Sequence, residues 1–191
     1  TTETVIEKAE EVRKKHFPSI KINYVQPFYN REIYIDCLAD SIREKLPENF
    51  DALQFSYHGV PERHIYKTDP TNTCNLNDCC SRESNPSHQF CYRHQCFKVT
   101  EEVIKKLNLP KEKVMVTFQS RLGNDKWMEP YTDETLENLG KKGIKNLAIV
   151  CPAFVSDCLE TLEEISVEGK EQFEHGGGEN FHYIPCLNDE D

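Results

Sequence analysis

Apolar and polar positions along the chain alternate between a helical and an extended period, and the switches fall at proline and glycine. Val5, Ile6, Ala9 and Val12 share one face of a helix predicted from about Glu3 to Lys15, and after Pro18 the run Ile20 to Val25 reads as a strand. A second helix from about Arg31 to Leu46 carries Ile33, Cys37, Leu38 and Ile42, and Pro47 ends it. Asp51 to His58 is the next strand, with Ala52, Leu53, Phe55 and Tyr57 as its apolar members and Gly59 and Pro61 as breakers. Helical spacing returns at Val99, Val103, Ile104 and Leu107, and Pro110 separates it from the strand KVMVTFQS. A helix capped by Thr132 or Asp133 and closed by Gly143 leads to the strand KNLAIVCPA. A last helix from about Asp157 and the strand FHYIP near Phe181 follow. Strands separated by helices predict an α/β fold, a parallel sheet covered by helices on both faces.

In such sheets ligands and reactive groups collect where loops leave the carboxyl ends of strands. His58 stands at such an end, where an imidazole can take up a proton near neutral pH, bind a metal, or hydrogen-bond its own loop. The loop FQSRLGNDKWMEPYTD leaves the next strand and offers Trp127 and Tyr131, either as a surface for a flat apolar ligand or as packing. In PAFVSDCLETLEEISVE, a helix turning about 100° per residue places Asp157, Glu160, Glu164 and Glu168 within an arc of roughly 80°, opposite Cys158, Leu159, Leu162 and Ile165. This stripe reads as a solvated face with a capping box at its start. It can also be read as carboxylates that face His58 across a cleft and handle protons or a divalent metal.

Composition narrows the partners. A chain of 191 residues with 37% hydrophobic content suffices for one domain with a core. Asp and Glu number 33 against 23 Lys and Arg, a net charge of -10, so there is no basic footprint and nucleic acid is not expected as a partner. No apolar run is long enough for a membrane span, and TTETVIEKAEEVRKK reads as an amphipathic helix rather than a leader. A cytoplasmic location is expected, with peripheral attachment to a membrane left open.

Nine cysteines are the unusual feature. Cys37, Cys151, Cys158 and Cys186 read as small core residues. The other five, Cys74, Cys79, Cys80, Cys91 and Cys96, fall in one loop-like segment at about 68–97. With no export signal to favour disulfides, thiols at this density predict a bound metal, either zinc or an iron–sulfur cluster, against the alternative of free thiols. Five candidates for four ligand positions, two of them adjacent, leave one to spare.

Three of these stretches, in this order, resemble the ferrochelatase family, whose members insert ferrous iron into a porphyrin. FSYHGVPERH is similar to the family's active-site histidine motif, FQSRLGNDKWMEPYTDETL to its tryptophan-containing loop, and PAFVSDCLETLEEI to its acidic helix. The likeness extends over nearly the whole chain, through IYIDCLADSIREKL and NFHYIPCLND. It implies a chelatase-like three-layer fold, here the second of two similar halves that enclose a porphyrin cleft. The first half would then be a missing partner, and this piece alone would bind porphyrin poorly or be inactive.

By the same resemblance His58 is the essential histidine facing the pyrrole nitrogens and Glu160 the glutamate across the cleft. Both contact the incoming Fe(II), which is substrate rather than cofactor. Asp157, Glu164 and Glu168 match an acidic row that relays protons or metal, and Trp127 and Tyr57 belong to the porphyrin pocket. Cys158 stands where many members carry histidine. The cysteine segment resembles an internal insertion that carries a [2Fe-2S] cluster in certain bacterial ferrochelatases, held by four of Cys74, Cys79, Cys80, Cys91 and Cys96. Such a cluster would hold the insertion together or sense redox state rather than act in metal insertion. Protoporphyrin and coproporphyrin both remain open as substrates. A cobalt-inserting relative and a non-enzymatic iron–sulfur or zinc module are the rival readings, and oligomeric state is not legible.

Overall fold

The computed structural model describes residues 2–189. Four strands form one all-parallel sheet: β1 (Ala52–His58), β2 (Val114–Gln119), β3 (Asn146–Val150) and β4 (Asn180–Ile184), in the spatial order β2-β1-β3-β4. Parallel neighbours need crossover connections, and helices supply them. The described helices are α1 (Thr2–His16), α2 (Glu32–Lys45), α3 (Glu62–Lys67), α4 (Tyr92–Leu107), α5 (Thr132–Lys141), α6 (Leu159–Leu162) and α7 (Lys170–His175), with a π-helical turn at Glu164–Gly169 between the last two.

Strand alternation sorts the core into two layers. Leu53, Phe55 and Tyr57 of β1, with Ala148 and Val150 of β3, pack against Ile35, Leu38, Ala39 and Ile42 of α2 and Cys96, Val99 and Val103 of α4. On the opposite face Ala52, Leu147 and Ile149 pack with Leu136 of α5, Ile165 of the π turn and Phe173 of α7. Helices on both faces of a parallel sheet make the expected three-layer α/β architecture.

Four expectations need correction. Ile20 to Val25 is not a strand; Ile20 is 52% and Val25 84% exposed, and the sheet ends at β2 and β4 without it. With no neighbour to satisfy its backbone, the segment is tied to α1 instead. Arg13 donates to the carbonyls of Pro18 and Ile20 at 3.3 Å, and Tyr24 donates to Glu10 at 2.9 Å. On α2 the buried stripe is Ile35, Leu38, Ala39 and Ile42, while Ile33 and Cys37 are exposed. Cys37 is therefore not a core residue, because its position lies off the face that α4 covers. Thr132 and Asp133 do not cap α5; Tyr131 precedes it without a side-chain cap, and Thr132 turns inward. Gly143 does close the helix, at φ +89. The acidic helix is not one regular helix, as the site geometry makes clear.

Candidate active site at the carboxyl edge of the sheet

β1 places His58 by period-two alternation on the same face as Gln54 and Ser56, toward α5 and the π turn. That face of β1 is polar yet buried, and most of its groups are joined in a continuous chain, with Gln54 Oε1 left without a partner. Gln54 donates to Thr117 at 2.8 Å, Thr132 joins Thr117 and Ser56, and Ser56 donates to Gln119 at 2.8 Å. Gln119 then donates through Nε2 to the carbonyl of Glu160 at 2.8 Å. The sheet edge and the acidic helix are thereby locked together beside His58.

The half-buried His58 ring is held by a 2.6 Å contact from Nδ1 to the carbonyl of Gly59. A carbonyl only accepts, so Nδ1 carries the proton and Nε2 is left as the basic nitrogen. The ring lies 6.1 Å from that of Phe154, whose residue was not singled out from sequence despite its place at the end of β3. Gly59 must be glycine: a Cβ there would stand 2.9 Å from the Gln119 carbonyl and 3.3 Å from Cε3 of Trp127. Trp127, bonded through its indole N–H to Leu122 at 3.0 Å, thus lies over the residue next to His58. Tyr57 points to the other layer, where its buried hydroxyl pairs with Thr100 at 2.8 Å.

The acidic row is divided among three settings. The π turn, closed by the Glu168 N–H to Glu163 carbonyl bond at 3.0 Å, spreads residues further apart around the axis than an α-helix would. Leu159 and Leu162, expected opposite the stripe and inward, are 75% and 50% exposed. Cys158 is the N-cap of α6. Glu160 is within electrostatic reach of His58, and a hydrogen bond from the Cys158 thiol, helped by the His58 charge, lowers its carboxyl pKa. Asp157 is enclosed: Tyr183 donates at 2.5 Å, Asn188 at 2.9 Å, Thr161 at 3.0 Å and the Cys186 N–H at 3.3 Å. Against the burial that would raise it, these bonds lower its pKa to about 2. Glu164 accepts from the backbone N–H of Ser120 at 2.6 Å and its hydroxyl at 2.5 Å. Glu164 and the more exposed Glu168 line one cavity of about 160 Å³ beside Ser120 and Arg121. Ser120 itself has φ +64, a conformation that costs energy for a residue with a side chain and recurs at functional sites. Sequence reasoning missed Gln119, Ser120 and Phe154; their position at strand ends was the available signal.

In the cysteine segment four thiols form a linked run, Cys74 to Cys79 to Cys80 to Cys91. Cys74 Sγ lies 3.9 Å from Cys79 Sγ, and Cys80 hydrogen-bonds Cys91. Each pair has one thiol pushed up and one lowered. Burial raises Cys74 to about 11, whereas backbone bonds from Asn75 and Leu76 and the neighbouring thiols outweigh burial at Cys79. The bond from Cys80 lowers Cys91 to about 6. Cys96 stands apart, fully buried on α4 among Tyr92 and the core, and burial raises its pKa. Among the described residues no three His, Cys, Asp or Glu side chains converge closely enough to hold a single metal ion. Two thiolates on one tetrahedral metal with bonds of about 2.3 Å lie about 3.8 Å apart. The Cys74–Cys79 spacing fits that edge.

A parallel sheet with a histidine, a buried polar chain and an acidic π turn at one carboxyl edge defines an α/β domain whose functional groups gather at that edge. The comparisons make this particular. The family model described as Ferrochelatase matches residues 1–191, and the chain belongs to the ferrochelatase family. It is 47% identical over 192 residues to a ferrochelatase of Pseudomonas fluorescens (strain Pf0-1), covering 100% of this chain and 56% of that protein. It is 45% identical over 190 residues to one of Stutzerimonas stutzeri (strain A1501), covering 98% and 56%. The chain thus spans about half the length of the curated relatives it matches. Among the described residues no helix is long and apolar enough to cross a membrane.

Proposed function

We propose that this chain is one wall of a ferrochelatase, which inserts Fe(II) into protoporphyrin IX with release of two protons. The carrying observation is that Glu160 lies within electrostatic reach of His58 at the sheet edge, with Trp127 beside the adjoining Gly59. The porphyrin lies in the cleft between this wall and the remainder of the enzyme, its ring against Trp127, with Tyr57 backing the wall from the core side. Nε2 of His58 accepts a pyrrole proton, since Nδ1 is occupied by Gly59. Glu160 stays ionised near neutrality, and a carboxylate opposite the imidazole stabilises the positive charge that protonation creates. Asp157 carries no proton near neutrality with a pKa of about 2, so it acts on cations by its charge and does not relay protons. Glu164 and Glu168, sharing a cavity, take protons outward or Fe(II) inward.

Cys74, Cys79, Cys80 and Cys91 are the residues proposed to hold a [2Fe-2S] cluster, with Cys96 as the spare. Bound there, it would cross-link a segment that has little core of its own and offer a one-electron redox group. Metal insertion itself involves no net electron transfer, so no step above depends on it. The enzyme is proposed to work in the cytoplasm, taking porphyrin at a membrane surface.

The test is anaerobic metallation by the full-length protein, following the porphyrin absorbance with Fe(II), Co(II) and both protoporphyrin and coproporphyrin in competition. Preferred use of Fe(II) and protoporphyrin is the expected result. Preference for cobalt or coproporphyrin would replace the substrate assignment, and failure to bind any porphyrin would leave the cysteine segment as an interaction module.

A further inference from the structure

Tyr92 is the first residue of α4 and follows Cys91 directly. Its hydroxyl crosses to β1 and donates to the carbonyl of His58 at 2.9 Å. That carbonyl and the N–H of Gly59 are the two ends of one peptide plane, and in a trans peptide they point in opposite directions. The Gly59 N–H is held by the Gln119 carbonyl on β2 at 2.8 Å. The opposite end faces β3, but pairing of β1 with β3 stops at Phe55 and Val150, three residues short of His58. Tyr92 therefore supplies a bond that the sheet does not, and a buried carbonyl left without it would carry a desolvation cost.

The plane so clamped is the one from which the imidazole hangs. Rotating it moves both the His58 backbone and the Gly59 carbonyl that fixes the ring through Nδ1. Since a carbonyl only accepts, the Tyr92 hydroxyl is the donor in this contact. On its other side, Tyr92 is bonded covalently to Cys91, which is 3% exposed, paired with Cys80, and caps α4 by accepting from the His94 N–H at 3.5 Å. The cysteine segment and the imidazole are separated by one side chain.

We propose that Tyr92 is a positioning residue for His58, and that through it the order of the cysteine segment around Cys91 sets the orientation of the imidazole. This rests on reading His58 as the acid–base group of the porphyrin site. It gives the cysteine segment a consequence for the reaction without placing it among the reacting atoms.

The experiment uses full-length protein and the variant Tyr92→Phe, which removes one hydroxyl and keeps the ring. Carbethoxylation of His58 by diethyl pyrocarbonate, resolved by mass spectrometry with exposed His182 as internal reference, reads the imidazole without turnover. The expected result is a several-fold change in the His58 rate and none at His182. Alongside it, kcat falls about tenfold while KM for the porphyrin holds within about twofold. Cys91→Ala shifts the His58 rate in the same direction when Tyr92 is present and adds nothing in the Tyr92→Phe background. An unchanged His58 rate with unchanged kcat in Tyr92→Phe overturns the proposal, as does an equal effect of Cys91→Ala in both backgrounds. Full metallation by His58→Ala would instead unseat the reading of His58 itself, and the modification rates would still judge the link.

Discussion

At the carboxyl edge of the sheet, His58 is placed by backbone pairing: β2 continues to the level of His58 and Gly59, and the Gln119 chain ties that level to Glu160. The cysteine segment has no such scaffold. Its shape is made by short polar side chains that bond their own backbone. Asp69 accepts from the N–H groups of Thr71, Thr73 and Cys74 at 2.8–2.9 Å, Asn75 from Asn77 at 3.0 Å, and Asn85 from Ser87 at 2.9 Å. Turns built this way are local and individually weak. The contrast teaches that the histidine is preorganised by the fold, whereas the loop thiols are gathered mainly by the segment's own turns.

The sharpest way to break that contrast is at His58. In the full-length enzyme His58→Ala is expected to lower metallation by about a thousandfold or more while leaving the melting temperature nearly unchanged, since strand pairing rather than the imidazole holds the edge. Near-normal turnover would remove the role assigned to it. Glu160→Gln keeps the shape and deletes the charge, and about a hundredfold loss in kcat is expected, checked by porphyrin absorbance.

On the loop side, changing Cys74, Cys79, Cys80 or Cys91 singly to Ala is expected to abolish bound iron and acid-labile sulfide together in anaerobically purified protein. Cys96→Ala retains both and costs about 1–2 kcal/mol of stability through its buried cavity. Loss of iron in the Cys96 variant instead would show that the spare thiol has been misidentified. Asp69→Ala frees three amides and is expected to raise the reaction rate of the loop thiols with a disulfide reagent several-fold.

The smallest effect concerns Asp157. Its folded pKa of about 2 lies below the usual 3.8, so its contribution is present above about pH 4 and is lost as pH falls toward 2. Asp157→Asn should cost about 1 kcal/mol at neutral pH, after allowance for solvent screening, and nothing at pH 2. Denaturant melts at the two pH values decide it.

Much of this arrangement was legible before any coordinates. Local periodicity and the breakers Pro47, Gly59, Pro110 and Gly143 report which residues are buried by their own element, and they delivered the four strands of the sheet and the end of β1 at His58. The same signal misled at Ile20 to Val25, where an extended apolar pattern has no neighbour to pair with, and at α2, where the buried stripe depends on which face α4 covers. It also missed the turns of α4 before Val99, because thiols and polar residues there hide the helical period.

What only the tertiary structure decided are the relations between distant residues. The start of α6 at Leu159 leaves Asp157 outside the helix, and the π turn separates Glu160 from Glu164 and Glu168, although their spacing suits a single face. The thiols link in the order Cys74, Cys79, Cys80, Cys91, and Tyr92 reaches across to His58. Periodicity is a property of one element against an average environment. Pairing, register and the partner of a buried carbonyl depend on which elements meet, and that is settled by packing over separations far longer than any helical or strand repeat.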